Sequence, residues 1–408
     1  MRVVYLHQYF VTPAMAGGSR SYEMARRLVA AGHEVHMVTS DQRIEAPAAR
    51  GWRETLEAGI HVHWAPVPYD NAMSYARRIR AFFAFAWRAA RKAASLRGDI
   101  VFATSTPLTI AIPAVYAARR SQAPMVFEVR DLWPAVPIAI GAIRNPILKW
   151  AAEHLERFAY RHAARIVALA PGMRDEIAAT GYPADRITVI PNGCDLTLFS
   201  DVEAGRALRA RHDWLESRPL LVFAGTFGRA NGMDYLVRLA EAILRLDPEI
   251  RIAAVGTGGE FERTRQLALD RQVLGKNLFL LGQLPKQEAA AWLAAADMTI
   301  ALFTGPKIVW RDAVQNKFFD SLAAGKPVAN NFRGWQSELA VAAGAGLILS
   351  SSDVEAAAGD LVRSLRDREG MVRSGRAARE LGVGRFNRDV LAADLARVLE
   401  EAYAEGRH

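Results

Sequence analysis

Short apolar runs alternate with helical patterns along almost the whole chain, and this alternation limits the fold more than any other feature. In the first half the strand candidates are 3–6, 35–39, 61–65, 100–103, 125–129, 165–168 and 187–190. In the second half they are 220–224, 251–255, 278–281, 298–301, 327–330 and 346–349. Repeated strand–helix units of this kind predict parallel sheets that are covered by helices on both faces.

The two series of strands meet near residues 191–219, and a chain of 408 residues suits two domains of about 200 residues each. We therefore predict an α/β chain of two facing, doubly wound, Rossmann-like domains, 1–198 and 199–388. The C-terminal helix, 389–408, is expected to pack back on the first domain. Ligands of such folds bind at the carboxyl ends of the strands, so we expect the site in a central cleft between the halves.

Composition narrows the class of protein and its compartment. Hydrophobic residues make up 51% of the chain and charged residues 23%, as in a soluble protein with sizeable cores. The single cysteine, Cys194, permits neither an internal disulfide nor a cysteine metal site. Together with a first segment that reads as a strand rather than a signal peptide, this predicts a cytoplasmic protein. The net charge of +9 favours anionic partners without choosing among nucleic acid, phospholipid and nucleotide.

Much of the positive charge lies in residues 71–98, which contain seven basic side chains and no acidic one. On a helix over 73–97 most of these cations share one arc, with Phe82 and Phe83 on the opposite arc, while Phe85 breaks the pattern. Such a helix can lie on an anionic membrane surface, at the inner face of the cytoplasmic membrane. It can equally pack its apolar arc on the protein's own sheet. No nucleic-acid-binding motif accompanies it, so nucleic acid is not an expected partner.

Three loops between a strand and a helix contain glycines that would let the backbone approach a phosphate. These are Gly17-Gly18 after the first strand, Gly225 and Gly228 with Arg229 after the strand at 220–224, and Gly256 in the next such loop. None of them is a Walker loop or a GxGxxG fingerprint. Each also has a purely structural explanation, because a capped turn or a surface arginine beside a glycine turn gives the same sequence.

The helical pattern near residue 316 carries an unusual polar stripe, since Asp312, Asn316 and Asp320 recur at every fourth residue. If the helix extends back to residue 312, the three side chains share one side. Taken alone, Asp320 is better explained as a carboxylate that interacts with the positive end of a helix.

Several motifs, in a fixed order, resemble the family-4 glycosyltransferases, which are retaining enzymes with the GT-B fold of two facing Rossmann-like domains. They are the Gly-Gly-Ser helix that ends in GHEV (32–35), PNGCD (191–195) and AAGKPV (323–328). Within the family, EVRDLWPAVP (128–137) and NKFFDSLAAGKPV (316–328), followed by NNFRGW, resemble the branch that contains the L-fucosamine transferases of bacterial surface-polysaccharide assembly. The resemblance implies sugar transfer with retention from a nucleotide-diphosphate donor, expected to be a UDP-sugar with an N-acetylated or deoxy amino sugar.

The family carries two acidic residues separated by seven positions, and Asp312 and Asp320 match that spacing. The resemblance implies that Asp312 touches the donor sugar and Asp320 the nucleotide ribose, with Asn316 and Lys317 near the phosphates. The family usually has glutamates at the two acidic positions, so each carboxylate here reaches one methylene less far.

The family also usually has an arginine and a lysine on the loop after the first strand of the second domain, and both bind the donor diphosphate. This chain has Thr226 and Asn231 there. We expect Arg229 and Lys317 to replace the lost charge, with backbone amides near Gly17-Gly18 assisting.

On the acceptor side many members have a histidine where this chain has Arg130-Asp131. We expect Asp131 and Glu128 to orient or activate the acceptor hydroxyl, with Arg130 and Asp312 completing the catalytic group, while the leaving phosphate takes the proton. The expected acceptor is a saccharide or a lipid-linked saccharide, such as a polyprenyl-diphosphate-linked sugar. No metal or other cofactor is expected, because no Asp-x-Asp motif follows an early strand.

Two other functions remain open. A UDP-sugar 2-epimerase can share the GT-B fold and a UDP site. A catalytically silent partner subunit of a glycosyltransferase would explain why Thr226 and Asn231 stand at the two phosphate-binding positions.

Overall fold

The structure is a computed structural model, and it describes residues 1–15, 17–41, 51–67, 73 and 75–406. The chain forms two compact units, Met1–Pro191 with Arg388–His408, and Asn192–Asn387. The boundary lies slightly earlier than the predicted one at 198/199. The predicted α/β class is confirmed, because each unit is built on its own mostly or wholly parallel sheet with helices between the strands.

Within its described residues, the first unit contains an eight-stranded sheet. Its strands are β1 (Arg2–Leu6), β2 (Glu34–Ser40), β3 (Arg53–Glu57), β4 (Ile60–Ala65), β5 (Ile100–Thr104), β6 (Met125–Val129), β7 (Arg165–Ala168) and β8 (Ile187–Val189). Its first six helices are α1 (Arg20–Ala30), α2 (Tyr75–Ser95), α3 (Ala111–Ser121), α4 (Ala135–Ala139), α5 (Pro146–His162) and α6 (Pro171–Ala179). The strand order is β3-β4-β2-β1-β5-β6-β7-β8. It reverses direction between β1 and β5, where ligands of doubly wound sheets bind.

Strand β3 was not predicted from the sequence, and it is the antiparallel strand of this sheet. It joins β4 through Ala58 and Gly59, which both have positive φ, at 48° and 82°. Such a pair is typical of a tight hairpin turn. The sequence of β3, RETLE, is charged because the strand lies at the sheet edge and keeps one face in water. Its pattern therefore lacks the apolar run that marks the buried strands.

The second unit contains a six-stranded parallel sheet in which the order also reverses near its middle. Its strands are β9 (Leu220–Ala224), β10 (Arg251–Val255), β11 (Leu278–Gly282), β12 (Met298–Ala301), β13 (Val328–Asn330) and β14 (Gly346–Ile348). Its helices are α7 (Val202–Ala210), α8 (Met233–Leu246), α9 (Phe261–Asp270), α10 (Lys286–Ala295), α11 (Lys307–Trp310), α12 (Asn316–Ala323), α13 (Trp335–Ala342), α14 (Val354–Arg366) and α15 (Arg368–Arg385). The order β11-β10-β9-β12-β13-β14 places the reversal between β9 and β12.

The last helix, α16 (Arg388–Glu405), packs on the first unit although it follows the second in sequence. Its buried residues, among them Leu395 and Leu399, join the apolar core beneath β1, β2 and β5. Asp389 accepts a hydrogen bond from Arg27 Nε at 2.6 Å, which fixes the start of the helix against α1. Residues 407 and 408 of the predicted helix lie outside the described residues.

Helix α2 covers most of the basic segment, and its buried side differs from the predicted one. Phe85 is buried, whereas Phe83 is 56% exposed and Trp87 is 64% exposed. The prediction that Phe83 lies on the apolar arc is therefore wrong. The buried side is rich in alanine, including Ala89 and Ala93, because α2 packs closely against α3. Large aromatic side chains are left beside the cations on the outer side.

A buried ion pair connects α1, β6 and the end of the first unit. Arg20 donates from Nη2 to Glu128 Oε1 at 2.8 Å, and its side chain also donates to the carbonyls of Ile190 and Pro191. Thr104 donates to the second carboxylate oxygen at 2.6 Å. Both charged side chains are at most 4% exposed. Each charge is therefore neutralised by the other and not by water or a dissolved ion.

We expect Glu128→Ala to destabilise the first unit by about 3–5 kcal/mol, because it leaves the Arg20 guanidinium buried without a counter-charge. Urea unfolding gives the free energy of unfolding. The matched control is Asp175→Ala, which removes an exposed carboxylate paired with Arg174 and should cost less than about 1 kcal/mol. Equal effects of the two changes would show that the buried pair is not a structural requirement.

Candidate functional site

A cavity of about 410 Å³ opens in the second unit at the carboxyl ends of β9, β10 and β11. Three of the predicted donor-binding residues line it, namely Thr226, Gly256 and Asp320. The cavity adjoins the point where the strand order of this sheet reverses, which is where doubly wound folds bind ligands. The residues that were predicted from three separate segments of sequence therefore meet at one edge of the sheet.

The loops after β9 and β10 touch so closely that a side chain between them is impossible. Gly225 N–H donates to the Val255 carbonyl at 2.9 Å, and a Cβ at Gly256 would lie 1.9 Å from the Gly225 oxygen. Gly256 also has a φ of 137°, which other residues rarely adopt. These glycines leave bare backbone at the wall of the cavity, as the sequence predicts.

Lys317 places a buried ammonium group directly beside Gly225. A Cβ atom added at Gly225 would lie 3.1 Å from Lys317 Nζ, and Nζ lies 4.3 Å from the centre of the Phe223 ring. Part of the stem reaches the surface, but Nζ itself is buried and has no hydrogen-bond acceptor among the described residues. Burial lowers the pKa of Lys317 to about 8. A buried amine without a partner is costly, so it marks a place for an anion.

The polar stripe is only partly helical. Helix α12 begins at Asn316, and Asp312 lies four residues earlier in a loop that the Trp335 side chain holds by donating to the Ala313 carbonyl at 2.8 Å. Asp312 is buried and accepts a hydrogen bond from Arg311 Nε at 2.6 Å. The prediction that one helix carries all three side chains is therefore wrong.

The other two residues of the stripe, Asn316 and Asp320, lie on different turns of α12. Asp320 lies on the second turn of α12 and lines the cavity, whereas Asn316 is exposed at the first turn and is not part of the lining. The carboxylate of Asp320 can accept hydrogen bonds from neighbouring hydroxyls of a ribose.

Arg229 does not supply charge to this cavity. Its side chain is 95% exposed, and its Nε lies 3.6 Å from Glu260 Oε1. Asn231 instead braces the loop, since its Nδ2 donates to the Thr226 carbonyl at 2.6 Å. The expectation that Arg229 replaces the missing cation is not supported, because the short 3₁₀ turn at Arg229–Asn231 directs the side chain into water.

Lys286 is a cavity residue that the sequence analysis missed. It begins α10 after β11, lines the same cavity as Asp320, and has Nζ 3.7 Å from Asp195 Oδ2. Gln283 and Leu284 precede it and also belong to the lining. The sequence does contain a signal for these residues, because they directly follow strand β11, which neighbours β10. Their loop lacks the glycines that marked the other strand-end loops as candidate phosphate sites.

In the first unit, polar side chains gather at the carboxyl ends of β1, β5 and β6. Arg130 N–H donates to Ser105 Oγ at 2.9 Å, and Arg130 Nη1 lies 3.3 Å from His7 Nε2. Burial and the neighbouring Arg130 lower the pKa of His7 well below its usual value, so this imidazole is neutral. Asp131 is exposed, and its Oδ2 accepts a hydrogen bond from Thr106 Oγ1 at 3.3 Å. Asp131 is therefore available to a substrate.

Glu128 has no oxygen left for a substrate. Its two carboxylate oxygens accept hydrogen bonds from Arg20 and Thr104, and the side chain is fully buried. Burial alone would raise the pKa of Glu128, but Arg20, Arg130 and the hydrogen bond from Thr104 together hold the pKa below its usual value. We therefore reassign Glu128 from acceptor activation to the structural ion pair.

The glycine pair of the first unit lies just before α1. Gly17 and Gly18 are exposed, and Gly17 has a φ of 138° with a Cβ position that would lie 3.2 Å from Val11 Cγ1. Ser19 makes no side-chain capping bond to the helix. The alternative that the pair merely accompanies a serine cap thus loses its support, while a ligand role of the exposed backbone stays a prediction.

Among the described residues, no group of three or more histidine, cysteine, aspartate or glutamate side chains is placed to hold a metal ion. No helix within the described part of the chain combines the length and the apolar character that crossing a membrane requires.

Two sequence families match the chain. Residues 16–193 match the family described as "Glycosyl transferase 4-like domain", and residues 218–367 match "Glycosyl transferases group 1". The two ranges fall in the two units and together take in most of the chain.

Curated relatives and solved structures agree with these matches. The GDP-mannose-dependent alpha-(1-6)-phosphatidylinositol monomannoside mannosyltransferase of Mycobacterium tuberculosis is 29% identical over 227 residues, which are 55% of this chain and only 59% of that protein. Sucrose-phosphate synthase from Thermosynechococcus elongatus has a TM-score of 0.78 at 17% identity, with 99% of each chain covered. HepE from Anabaena, solved with UDP-glucose, has a TM-score of 0.72 at 15% identity and covers 98% of this chain and 100% of its own. The chain therefore combines a glycosyl transferase 4-like domain with a glycosyl transferases group 1 domain, and it has the GT-B fold.

Proposed function

We propose that this protein is a retaining glycosyltransferase that transfers a sugar from a UDP-sugar to a lipid-linked saccharide in cell-surface polysaccharide assembly. The observation that carries the proposal is the buried Lys317 ammonium, which has no hydrogen-bond partner among the described residues and lies beside Gly225 in the cavity lining, three positions before Asp320 on the same helix. A nucleoside diphosphate supplies an anion for the buried amine, and its ribose diol can donate hydrogen bonds to the Asp320 carboxylate.

Each part of the donor has a proposed contact in the second unit. The diphosphate would lie against Lys317 and the backbone at Gly225, with the positive end of α12 adjacent. Asp320 would bind the ribose hydroxyls. The base would occupy the side of the cavity lined by Gln283 and Leu284, where Lys286 adds a second positive charge.

The chemistry needs stabilisation of the leaving diphosphate. The bond between the anomeric carbon and the phosphate oxygen breaks, and the acceptor oxygen bonds to the same face of that carbon. The acceptor proton passes to the leaving phosphate. Lys317 would stabilise the charge that develops on that phosphate, without a metal ion. Asp131, with Arg130 beside it, would orient the acceptor hydroxyl, and Asp312 would contact the donor sugar.

The UDP assignment is supported by HepE, whose structure contains UDP-glucose, while the mycobacterial relative is GDP-mannose-dependent. GDP is therefore the main competing donor nucleotide. An amino sugar on the donor rests on the motif resemblance to the L-fucosamine transferase branch.

A membrane-bound acceptor is supported by the outer side of α2. Arg77, Arg80 and Arg91 are exposed there beside Phe83 and Trp87, and the Arg91 guanidinium lies 4.4 Å from the Trp87 ring centre. Cations beside exposed aromatic rings suit the interface of an anionic lipid bilayer. The mycobacterial relative is named for a phosphatidylinositol-linked mannoside substrate, which is also a lipid-linked saccharide. We place the protein on the cytoplasmic face of the membrane.

A silent partner subunit is the second candidate, because Thr226 and Asn231 occupy the usual cation positions and Arg229 points into water. A silent subunit would turn over no nucleotide-sugar donor. Nucleotide binding and turnover therefore have to be measured separately.

We expect UDP to bind tightly in the presence of EDTA and to bind roughly 10- to 100-fold more weakly to Asp320→Ala, which loses a charged hydrogen-bond acceptor. Calorimetric titration with UDP, GDP, TDP and CMP measures the affinities. The control, Asp270→Ala, removes an exposed aspartate outside the cavity and should bind like the unaltered protein. A preference for GDP would overturn the UDP assignment, and UDP binding without turnover of any UDP-sugar would favour the silent subunit.

Lys317→Met should stabilise the second unit while abolishing UDP binding. Below pH 8 the buried charge of Lys317 lowers the free energy of unfolding by its full amount. This destabilisation disappears as the pH rises from about 8, the pKa of Lys317 in the folded state, to 10.5, its pKa in the unfolded state. The variant should therefore gain roughly 3 kcal/mol of unfolding free energy at pH 7 and much less at pH 10. Urea unfolding at the two pH values measures this, with the exposed Lys276→Met as the control.

The same lysine makes UDP binding depend on pH. A bound diphosphate favours the charged amine, so binding should take up a proton and the affinity should fall as the pH rises above about 8. Calorimetry in buffers of different ionisation enthalpy detects the proton. A pH-independent affinity would show that the diphosphate does not bind at Lys317.

Changing Arg77, Arg80 and Arg91 to glutamate should weaken binding to vesicles that contain phosphatidylglycerol by at least about 100-fold, since each cation near an anionic surface contributes about 1 kcal/mol. Co-sedimentation at two salt concentrations measures the loss. The control reverses three exposed arginines of the second unit, Arg206, Arg373 and Arg376. If both triple variants sediment like the unaltered protein, the membrane proposal is wrong.

A further inference from the structure

A second cavity of the second unit, about 690 Å³ in volume, has no role in the proposed donor site. It opens between the loops that follow β12, β13 and β14 and the first turns of α8. None of the residues that line it also lines the cavity at Asp320. Its position at the carboxyl edge of the sheet is nonetheless one where α/β folds bind ligands.

Three aromatic rings line this cavity and are held in fixed positions. Phe303 and Phe332 pack edge to face with ring centres 5.1 Å apart, and the Trp310 ring centre lies 6.4 Å from that of Phe332. Trp310 Nε1 donates to the Gly305 carbonyl at 3.2 Å, which fixes the plane of the indole. Rigid aromatic faces of this kind pack well against a flat ligand that is apolar on one face.

The loops that carry the rings are tied together by one asparagine. Asn331 Oδ1 accepts from Phe303 N–H at 2.8 Å, and Asn331 Nδ2 donates to the Phe303 carbonyl at 3.0 Å. The two hydrogen bonds join the end of β12 to the end of β13. The cavity is therefore formed before any ligand arrives.

Two arginines in the lining have no counter-charge. Arg238 and Arg333 are both exposed, and neither forms an ion pair or a side-chain hydrogen bond with another residue that the structure describes. Asp234, the carboxylate of the lining, is paired with Arg263 at 2.7 Å. The two guanidinium groups can therefore donate to a carboxylate or a phosphate of a ligand.

Hydroxyl groups complete the rim. Ser350 and Ser351 line the cavity, whereas the Tyr235 hydroxyl is already bonded to the Ser350 carbonyl at 2.6 Å. Tyr235 thus shapes the wall. Ser350 Oγ accepts a hydrogen bond from Asp353 N–H at 2.9 Å and keeps its own hydrogen to donate, and Ser351 is the second serine of the rim. Aromatic faces, serine hydroxyls and two unpaired arginines occur together in this one cavity.

We propose that this cavity binds an anionic saccharide, a pyranose that carries a carboxylate or a phosphate. The C–H face of the ring would pack on Trp310 and Phe332, the anionic group would bind Arg238 and Arg333, and the ring hydroxyls would bind the serines. The inference does not depend on the donor assignment, because the two cavities share no lining residue.

The test is calorimetric titration of the full-length protein, without nucleotide, with glucuronic acid, glucose 6-phosphate, glucose and inorganic phosphate. Binding of either anionic sugar at least tenfold tighter than glucose supports the proposal, and the better of the two identifies the anionic group. Arg333→Ala and Arg238→Ala should each weaken that binding about tenfold or more. Arg376→Ala, an exposed arginine outside the cavity, should leave it unchanged.

Three results would overturn the proposal. The first is that neither anionic sugar binds. The second is that inorganic phosphate binds as tightly as glucose 6-phosphate, which would mean a plain anion site. The third is that Asp320→Ala, and not Arg333→Ala, removes binding, which would place the sugar in the other cavity. Both arginines are exposed, so their removal leaves the core intact, and circular dichroism confirms folding of each variant.

Discussion

The buried ammonium of Lys317 is the constraint around which the second unit is arranged. Gly225 has no side chain where the lysine passes, and Phe223 offers the face of its ring to the charge. Both residues belong to β9 or the loop after it, while Lys317 starts α12. The fold thus holds a cation at the strand ends with no acceptor in the part of the chain that the structure describes, which makes the site costly when empty and receptive to an anion.

The same site shows how a family can change its charged residues without losing the geometry. The positions that usually carry an arginine and a lysine hold Thr226 and Asn231, and Asn231 has become a brace for the loop. Positive charge comes from other elements, since Lys286 on α10 lines the cavity and Lys317 on α12 lies behind its Gly225 wall. Charge acts over several ångströms, so its origin in the sequence matters less than its place at the cavity wall.

In the first unit a buried ion pair has the organising role. Arg20 joins the start of α1 to Glu128 on β6 and to the carbonyls of Ile190 and Pro191. The neighbouring strand ends then present Asp131 to solvent beside Arg130. Two carboxylates three residues apart have opposite surroundings, because β6 is buried along its whole length and the loop after it places Asp131 in water.

Strand–helix alternation and the motif order were enough to predict the α/β class and the family, and strand-end glycines predicted where the cavity at Asp320 lies. These features are local, so neighbouring residues already encode them. Sequence reasoning could not predict the hairpin strand β3, the loop around Asp312, the outward Arg229 or the buried Phe85. Each depends on which neighbours a side chain meets after folding, and burial and partner geometry are properties of the packed chain rather than of any short segment.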